Sequence, residues 1–293
     1  MIILVSGSSG YVGSFLIKVL KEKYKVIGID LNESQNTDIQ CNISKINLTN
    51  IIKNHQVIVI NLASAKQDHD FKAKEYYKFN VSDHEKFLVN LEKINCIGFI
   101  HISSVASIDG QNIEFNENLN CDDSYRATKY LQNKIIEEWC NKRNIRFVQL
   151  LPSAIFDEIP RDFTNIGRLQ SMISFLPFVP DIKVKKSLTS MPKFIKFLVH
   201  FIETNKSGNF ITIEQPVKTV TEIINSRFKK PRLIIKIPFL KNILLFFSTI
   251  CLLIWKLFKI DLKLFPSRVH KLFRNTSYEN IKNIDKNEYK KIE

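Results

Sequence analysis

The chain has 293 residues, 44% hydrophobic and 25% charged, with few Gly and Pro. This excludes a disordered chain and leaves room for a large core in one domain, or a domain plus a lobe. The formal net charge is +14, but nine of the 43 basic residues are arginine, the rest lysine, and no helix-turn-helix, zinc-finger or RNP pattern occurs, so no nucleic-acid partner is expected. An anionic substrate or an anionic membrane surface remains a use for the charge. Five cysteines without a CxxC pair and six histidines without HExxH spacing point to reduced cytoplasmic thiols and no metal site. The apolar start lacks a basic n-region, so no cleaved signal peptide is expected, and the sequons at Asn42, Asn47, Asn80 and Asn275 carry no meaning.

Taken in chain order, Ile2–Val5 reads as a buried strand and Tyr11–Lys21 as a helix. Val26–Ile29 is a second strand, ending at Asp30, and Val57–Leu62 another. Glu85–Leu91 reads as a helix, Gly98–Ile102 as a strand, Ala127–Cys140 as a helix, and Arg146–Leu151 as a strand stopped by Pro152. Continuous apolar strands alternating with helices predict a doubly wound parallel sheet covered on both faces. After Pro152 prolines break the rhythm, a helix is expected over Phe194–Ile202 and a strand over Asn209–Ile213. The expected organisation is a Rossmann-like α/β domain over 1–155 and a smaller C-terminal lobe over 156–293, with 209–213 returning to the sheet. Ile243–Trp255 is the most apolar stretch, flanked by Lys241 and Lys256. A spanning helix needs about 20 residues. Three readings of 239–258 stay open: a buried lobe helix, a peripheral anchor on an anionic leaflet, and a span with snorkelling lysines.

Three of the eight glycines, Gly7, Gly10 and Gly13, lie between the first strand and its helix. Such a loop makes a tight turn, lets bare backbone approach a pyrophosphate, and packs helix on strand. Asp30 ends the next strand, where a carboxylate accepts from a ribose 2′-hydroxyl and repels a 2′-phosphate, so NAD(H) is favoured over NADP(H). In "SYRATK", Tyr125 and Lys129 are four apart and share one helix face. A nearby ammonium is expected to lower the tyrosine pKa and make the phenol a proton donor or acceptor near neutral pH. Ser103 and Ser104 end a strand, where doubly wound folds place their sites.

The GxxGxxG loop, "INLAS", "FNVSDHEKFL", "GFIHISS", YxxxK and "LLPSAIFD" together resemble the extended short-chain dehydrogenase/reductases, specifically the NAD-dependent epimerase/dehydratase family. The resemblance implies cofactor contacts from the loop residues Ser9, Tyr11 and Val12 as well as its glycines. It adds Asn42 and Ile43 beside adenine, and Leu62, Ala63 and Ser64 after the fourth strand. It also adds Asn80, Ser103, Pro152, Tyr125 and Lys129. It implies Ser104, Tyr125 and Lys129 as the catalytic set, with Ser104 bonding the reacting oxygen and Lys129 holding the nicotinamide ribose. On the substrate side it implies Ser104 and Tyr125 with Asn165, Lys186 and Arg268 near a diphosphate. The chain departs from the family at "SSVASIDG", which is one residue longer than the usual segment and has Asp109 in a tyrosine position, and at Leu151, in an arginine position. The tail resembles nucleotide-sugar 4-keto-reductases and epimerases of bacterial surface-polysaccharide (O-antigen) pathways. The implied activity is reduction of a UDP-4-keto-6-deoxy-N-acetylhexosamine, with C4 epimerisation on tightly bound NAD or a non-catalytic NAD sensor as alternatives. The implied setting is cytoplasmic, as a homodimer, with contact at the inner membrane face through 239–258 as the remaining option.

Overall fold

Ile2–Ser6 forms β1, buried along its whole length because a parallel strand covered on both faces is apolar throughout. Three glycines turn the chain into α1 (Tyr11–Leu20), which buries Gly13, Leu16, Ile17 and Leu20. β2 (Lys25–Asp30), β3 (Ile39–Gln40), a 3₁₀ turn at Ile43–Lys45, α2 (Thr49–Ile52) and β4 (Val57–Asn61) follow. α3 (Ala73–Tyr77), a π turn at Lys78–Ser82 and α4 (Asp83–Leu91) then run on from one another. The apolar periodicity marked only Glu85–Leu91. The π turn buries the adjacent Asn80 and Val81 and breaks the 3.6-residue pattern before it. β5 (Cys96–Ile102), the short α5 (Ala106–Gly110), α6 (Cys121–Lys142) and β6 (Arg146–Pro152) complete the run. α6 starts at Cys121 rather than Ala127. Asn120 caps it through the Asp123 amide, and Asp122 and Asp123 complement its dipole, so polar residues that hide the apolar period still hold its first turn.

The computed structural model describes residues 1–52, 54–65, 71–157, 173–260, 262, 264–279, 281, 284–285 and 287–291. The chain divides into two units. Beyond Ser153, β7 (Ala154–Phe156), β8 (Phe178–Pro180) and β9 (Lys185–Lys186) belong to the second unit. β10 (Leu188–Ser190) leads back into the first unit, which takes α7 (Met191–Glu203) and β11 (Gly208–Thr212). The second unit resumes with β12 (Lys218–Thr219), α8 (Val220–Asn225), β13 (Leu233–Ile235), α9 (Leu240–Phe258) and α10 (Pro266–Phe273). The terminal α11 (Asn287–Lys290) is again part of the first.

The first unit is a seven-stranded sheet in the order β11-β6-β5-β4-β1-β2-β3, with every pairing parallel. This is a Rossmann-like α/β fold, and its strand order reverses beside β1, where doubly wound sheets open a crevice at the carboxyl ends. One core cluster joins Leu4, Ile29, Val59, Phe87, Phe99, Ile136 and Trp139. The second unit is built from small sheets, β9 against β12 and β8 against β13, over a core of Val179, Ile182, Val220 and Ile224. In it, α9 contradicts the reading of 239–258 as a buried lobe helix. Only 6% of its apolar window is buried, and Ser248 is its one buried residue.

Candidate active site

The site grows from the carboxyl edge of β1, β2, β4 and β5. Gly7 has φ +79, a conformation that side chains rarely adopt, and a Cβ there would stand 2.8 Å from the Ala63 amide nitrogen. A Cβ on Gly13 would lie 2.2 Å from the Gly7 carbonyl, so this glycine seats α1 on the loop. A Cβ on Gly10 would meet only the Gly7 oxygen, at 3.2 Å. Gly10 is the N-cap of α1, with no side-chain cap bond and no acid in the first turn. The positive end of the helix thus faces outward from bare backbone, which fits an anionic pyrophosphate. Tyr11 and Val12 form the first turn of that helix.

Asp30 closes β2 and accepts the Ser9 amide at 3.0 Å and the Asn32 amide at 3.0 Å, so the carboxylate braces the loop it borders. Further along this edge, the Asn42 amide is divided between two partners. Its oxygen accepts from the Ser44 amide at 2.9 Å, and its nitrogen donates to Asp83 at 3.0 Å. Ile43 is buried beside it. Leu62 and Ala63 pass directly over Gly7. Ser64 is exposed and donates to the Asn80 oxygen at 2.9 Å. Asn80 itself is fully buried. It accepts the Ala65 amide at 2.8 Å and donates to the Thr128 hydroxyl at 3.1 Å. The structure therefore makes Asn80 a tie between the loop after β4 and α6, with its polar atoms taken up by protein partners.

Ser104, after β5, stands close enough to the Tyr125 phenol of α6 to favour its ionised form, and its hydroxyl accepts the Ala106 amide at 3.2 Å. Ser103 is buried and points its hydroxyl to Ser107 at 3.4 Å. Pro152 ends β6, and its carbonyl accepts the Val105 amide at 3.0 Å, which anchors the serine loop. The altered "SSVASIDG" segment forms α5 rather than an overhanging loop. A Cβ on Gly110 would stand 2.0 Å from the Arg126 carbonyl, so this glycine lets α5 lie against the turn of α6 that carries Tyr125.

Lys129 lies one turn beyond Tyr125, only 1% exposed, and donates to the Ile102 carbonyl at 3.4 Å and to the Gln132 oxygen at 2.6 Å. Burial lowers its pKa to about 7. Burial raises the Tyr125 pKa, the Ser104 side chain lowers it, and the charge of Asp122 raises it. The expected lowering by Lys129 is not what the geometry gives. The ammonium is directed to Ile102 and Gln132, and its own charge is weakened by desolvation. Ser104 is the neighbour that favours the phenolate.

The NAD dependent epimerase/dehydratase family model matches residues 3–170. The chain belongs to this family. No curated relative matches it. Among solved structures it is similar to the UDP-glucuronic acid 4-epimerase of Bacillus cereus, in complex with UDP-glucuronic acid and NAD, at 20% identity over 81% of this chain and 86% of that one, with a TM-score of 0.64. The UDP-N-acetylglucosamine 4-epimerase of Methanobrevibacter ruminantium, in complex with UDP-N-acetylmuramic acid, gives 18% identity over 80% and 86%, with a TM-score of 0.64. A short-chain dehydrogenase/reductase protein of Agrobacterium tumefaciens with bound NAD gives 15% identity over 81% and 85%, with a TM-score of 0.63.

The residues of the glycine loop fit a dinucleotide: bare backbone at Gly7 and Gly10, an uncapped helix end, and the Asp30 carboxylate at the strand edge. The residues expected at the substrate fare differently. Lys186, in the second unit, donates to the Lys271 carbonyl at 2.6 Å and to the Arg274 carbonyl. Burial, and then the charge of Arg274, lowers its pKa to about 8. Lys186 thus caps the C-terminal carbonyls of α10. Arg268, on α10, lies over the Phe265 ring at 4.9 Å. Asn165 lies outside the described residues. Sequence reasoning missed Gln132 and His84. Gln132 donates to a ring nitrogen of His84 at 2.9 Å, and His84 is buried and held at about 4, mainly by burial. The signal for Gln132 was its place three residues after Lys129 on one helix.

Proposed function

We propose that this family member reduces the 4-keto group of a UDP-4-keto-6-deoxy-N-acetylhexosamine in the synthesis of a bacterial surface polysaccharide such as O-antigen. The observation that carries the reading is the placement of Ser104 beside the Tyr125 phenol at the carboxyl edge of the sheet, with Lys129 one helical turn away. Bound NADH would supply the hydride. Tyr125 delivers its proton to the C4 oxygen as negative charge develops there, and Ser104 donates a hydrogen bond to the same oxygen. The Gln132–Lys129 contact keeps the ammonium at the face of α6 where a nicotinamide ribose hydroxyl would be held. Ser9, Asp30, Asn42 and Ile43 hold the adenosine side, and Leu62, Ala63, Ser64, Ser103 and Pro152 line the nicotinamide side. Asn80 acts from behind by fixing Ser64 and α6. Five free cysteines support a reducing cytoplasmic setting, and a homodimer is the proposed assembly, as in many extended-branch relatives.

A second reading is C4 epimerisation of a UDP-sugar on retained NAD, because two of the similar structures are UDP-sugar 4-epimerases. One experiment separates the two. The protein is given UDP-4-keto-6-deoxy-GlcNAc with NADH, and absorbance at the nicotinamide band is followed. Loss of absorbance with wild type and none with Tyr125→Phe supports reduction. A flat trace, with inversion of UDP-GlcNAc when no cofactor is added, overturns it in favour of epimerisation.

A further inference from the structure

The second unit carries a surface that the reaction does not use. α9 has one charged residue near each end, Lys241 and Lys256, and no acid within it. Ile243, Phe246, Ile250, Leu253 and Leu257 follow one another at steps of three and four, with Phe247 beside Phe246, which makes one face of a helix. That face is outward: Phe246 is 66% exposed, Leu253 53% and Leu257 74%, and Phe239 at the helix start is 79% exposed. The inward face holds the only buried residue, Ser248, whose hydroxyl donates to the Leu245 carbonyl at 2.8 Å. The helix is therefore apolar on both sides: Leu244, Leu245, Leu252 and Trp255 are half-buried around Ser248, while a second aromatic and aliphatic face stands in water. Exposed apolar surface of this kind marks an interaction site.

We propose that α9 docks the protein in the plane of an anionic lipid bilayer. Charge selects the occupant. From Ile223 to Ile260 the chain holds eight basic residues, Arg227, Lys229, Lys230, Arg232, Lys236, Lys241, Lys256 and Lys259, and no acidic one. A second copy would bring the same basic run with it, whereas acidic headgroups complement that run and leave the aromatic and aliphatic stripe for the acyl boundary. The fold decides between lying in the membrane and crossing it. The helix is long and apolar enough to cross. Yet Leu240 at its start and Leu272 and Phe273 beyond its end pack on one cluster with Val179 and Val220. After it, Thr276 exchanges backbone hydrogen bonds with the β9 region, donating to Lys185 at 3.2 Å and accepting from Ser187 at 3.0 Å. Both ends of α9 thus return to the same folded body, which a single crossing would place on opposite sides.

The proposal is independent of the reaction assigned above. It is tested with the full chain by co-sedimentation with vesicles of phosphatidylcholine alone and of phosphatidylcholine with phosphatidylglycerol. Binding to the anionic vesicles, weakened in 0.5 M salt, is the expected result for the wild type. The double substitution Phe246→Glu, Leu253→Glu places charge on the outward face without opening the core, and it weakens binding by at least about tenfold. Lys241→Glu, Lys256→Glu weakens it in the same direction. Absence of vesicle binding by the wild type, equal binding to neutral vesicles, or unchanged binding by both double variants overturns the proposal. So does self-association through α9 that vesicles fail to compete away.

Discussion

The buried Lys129 ammonium has lost the hydration that keeps a lysine charged, and what remains to it is the Ile102 carbonyl and the Gln132 amide oxygen. Folded, it releases its proton near pH 7, and unfolded near its ordinary 10.5. The unfolded chain therefore binds more protons above pH 7, and stability rises with pH from that point; below it the cost of burying the charge is fully present. Lys186, held at about 8 by burial, adds the same sign from higher pH. Cys96, pushed up to about 12 by burial, opposes the trend once unfolded thiols ionise. Urea midpoints of the wild type should climb between pH 7 and 9, and Lys129→Met should remove the part of the climb between pH 7 and 8. On the acid side His84, held at about 4, makes stability fall as pH drops from 6.5 towards 4. For the chemistry, Tyr125→Phe should cut turnover by about 10²–10⁴-fold and leave NADH affinity, read by fluorescence titration, within a small factor. At this scale Tyr125, Lys129 and Ser104 were legible because their order along the chain is itself a pattern. Their proton affinities were not, because desolvation depends on residues such as Gln132 and His84 that no motif includes.

Among the elements, α1 and its loop show how little freedom the glycines leave. Gly13→Ala puts a methyl 2.2 Å from the Gly7 carbonyl, so α1 must lift from β1 or the loop must open. Cofactor affinity should fall at least about tenfold and stability by about 1–3 kcal/mol, measured by NADH titration and urea unfolding. Asn80→Ala acts from another element, cutting the tie between the loop after β4 and α6, and should cost about 2–3 kcal/mol, with a fall in turnover that exceeds any change in NADH affinity. Six of the seven strands of the sheet were legible to within two residues, since buried parallel strands are continuous apolar runs, whereas the two-residue β3, half-buried at the sheet edge, was not. The first turns of α6 and the stretch from Ala73 to Ser82 were not. One is held by a cap and dipole rather than by apolar spacing, and the other carries a π turn that shifts its buried face.

The whole molecule returns its tail to its first unit. Asp285 bridges Phe210 of β11, Lys206 pairs with Glu288 at 2.6 Å, and Tyr289 is buried with its ring 5.3 Å from that of Phe197. Tyr289→Ala should therefore cost about 3 kcal/mol, seen as a lower urea midpoint of the sheet unit, although it lies far along the chain from β1. The sequence by itself determined the parallel sheet, the dinucleotide loop and the order of Ser104, Tyr125 and Lys129, because local geometry alone needs glycine at a positive φ and a four-residue step on a helix. It also determined that 239–258 is apolar. Only the tertiary structure decided that α9 turns that apolarity outward, that Lys186 is consumed in capping α10, and that Lys129 answers to Gln132. Each of those outcomes depends on which distant residues remove water from a side chain, and periodicity carries no record of that.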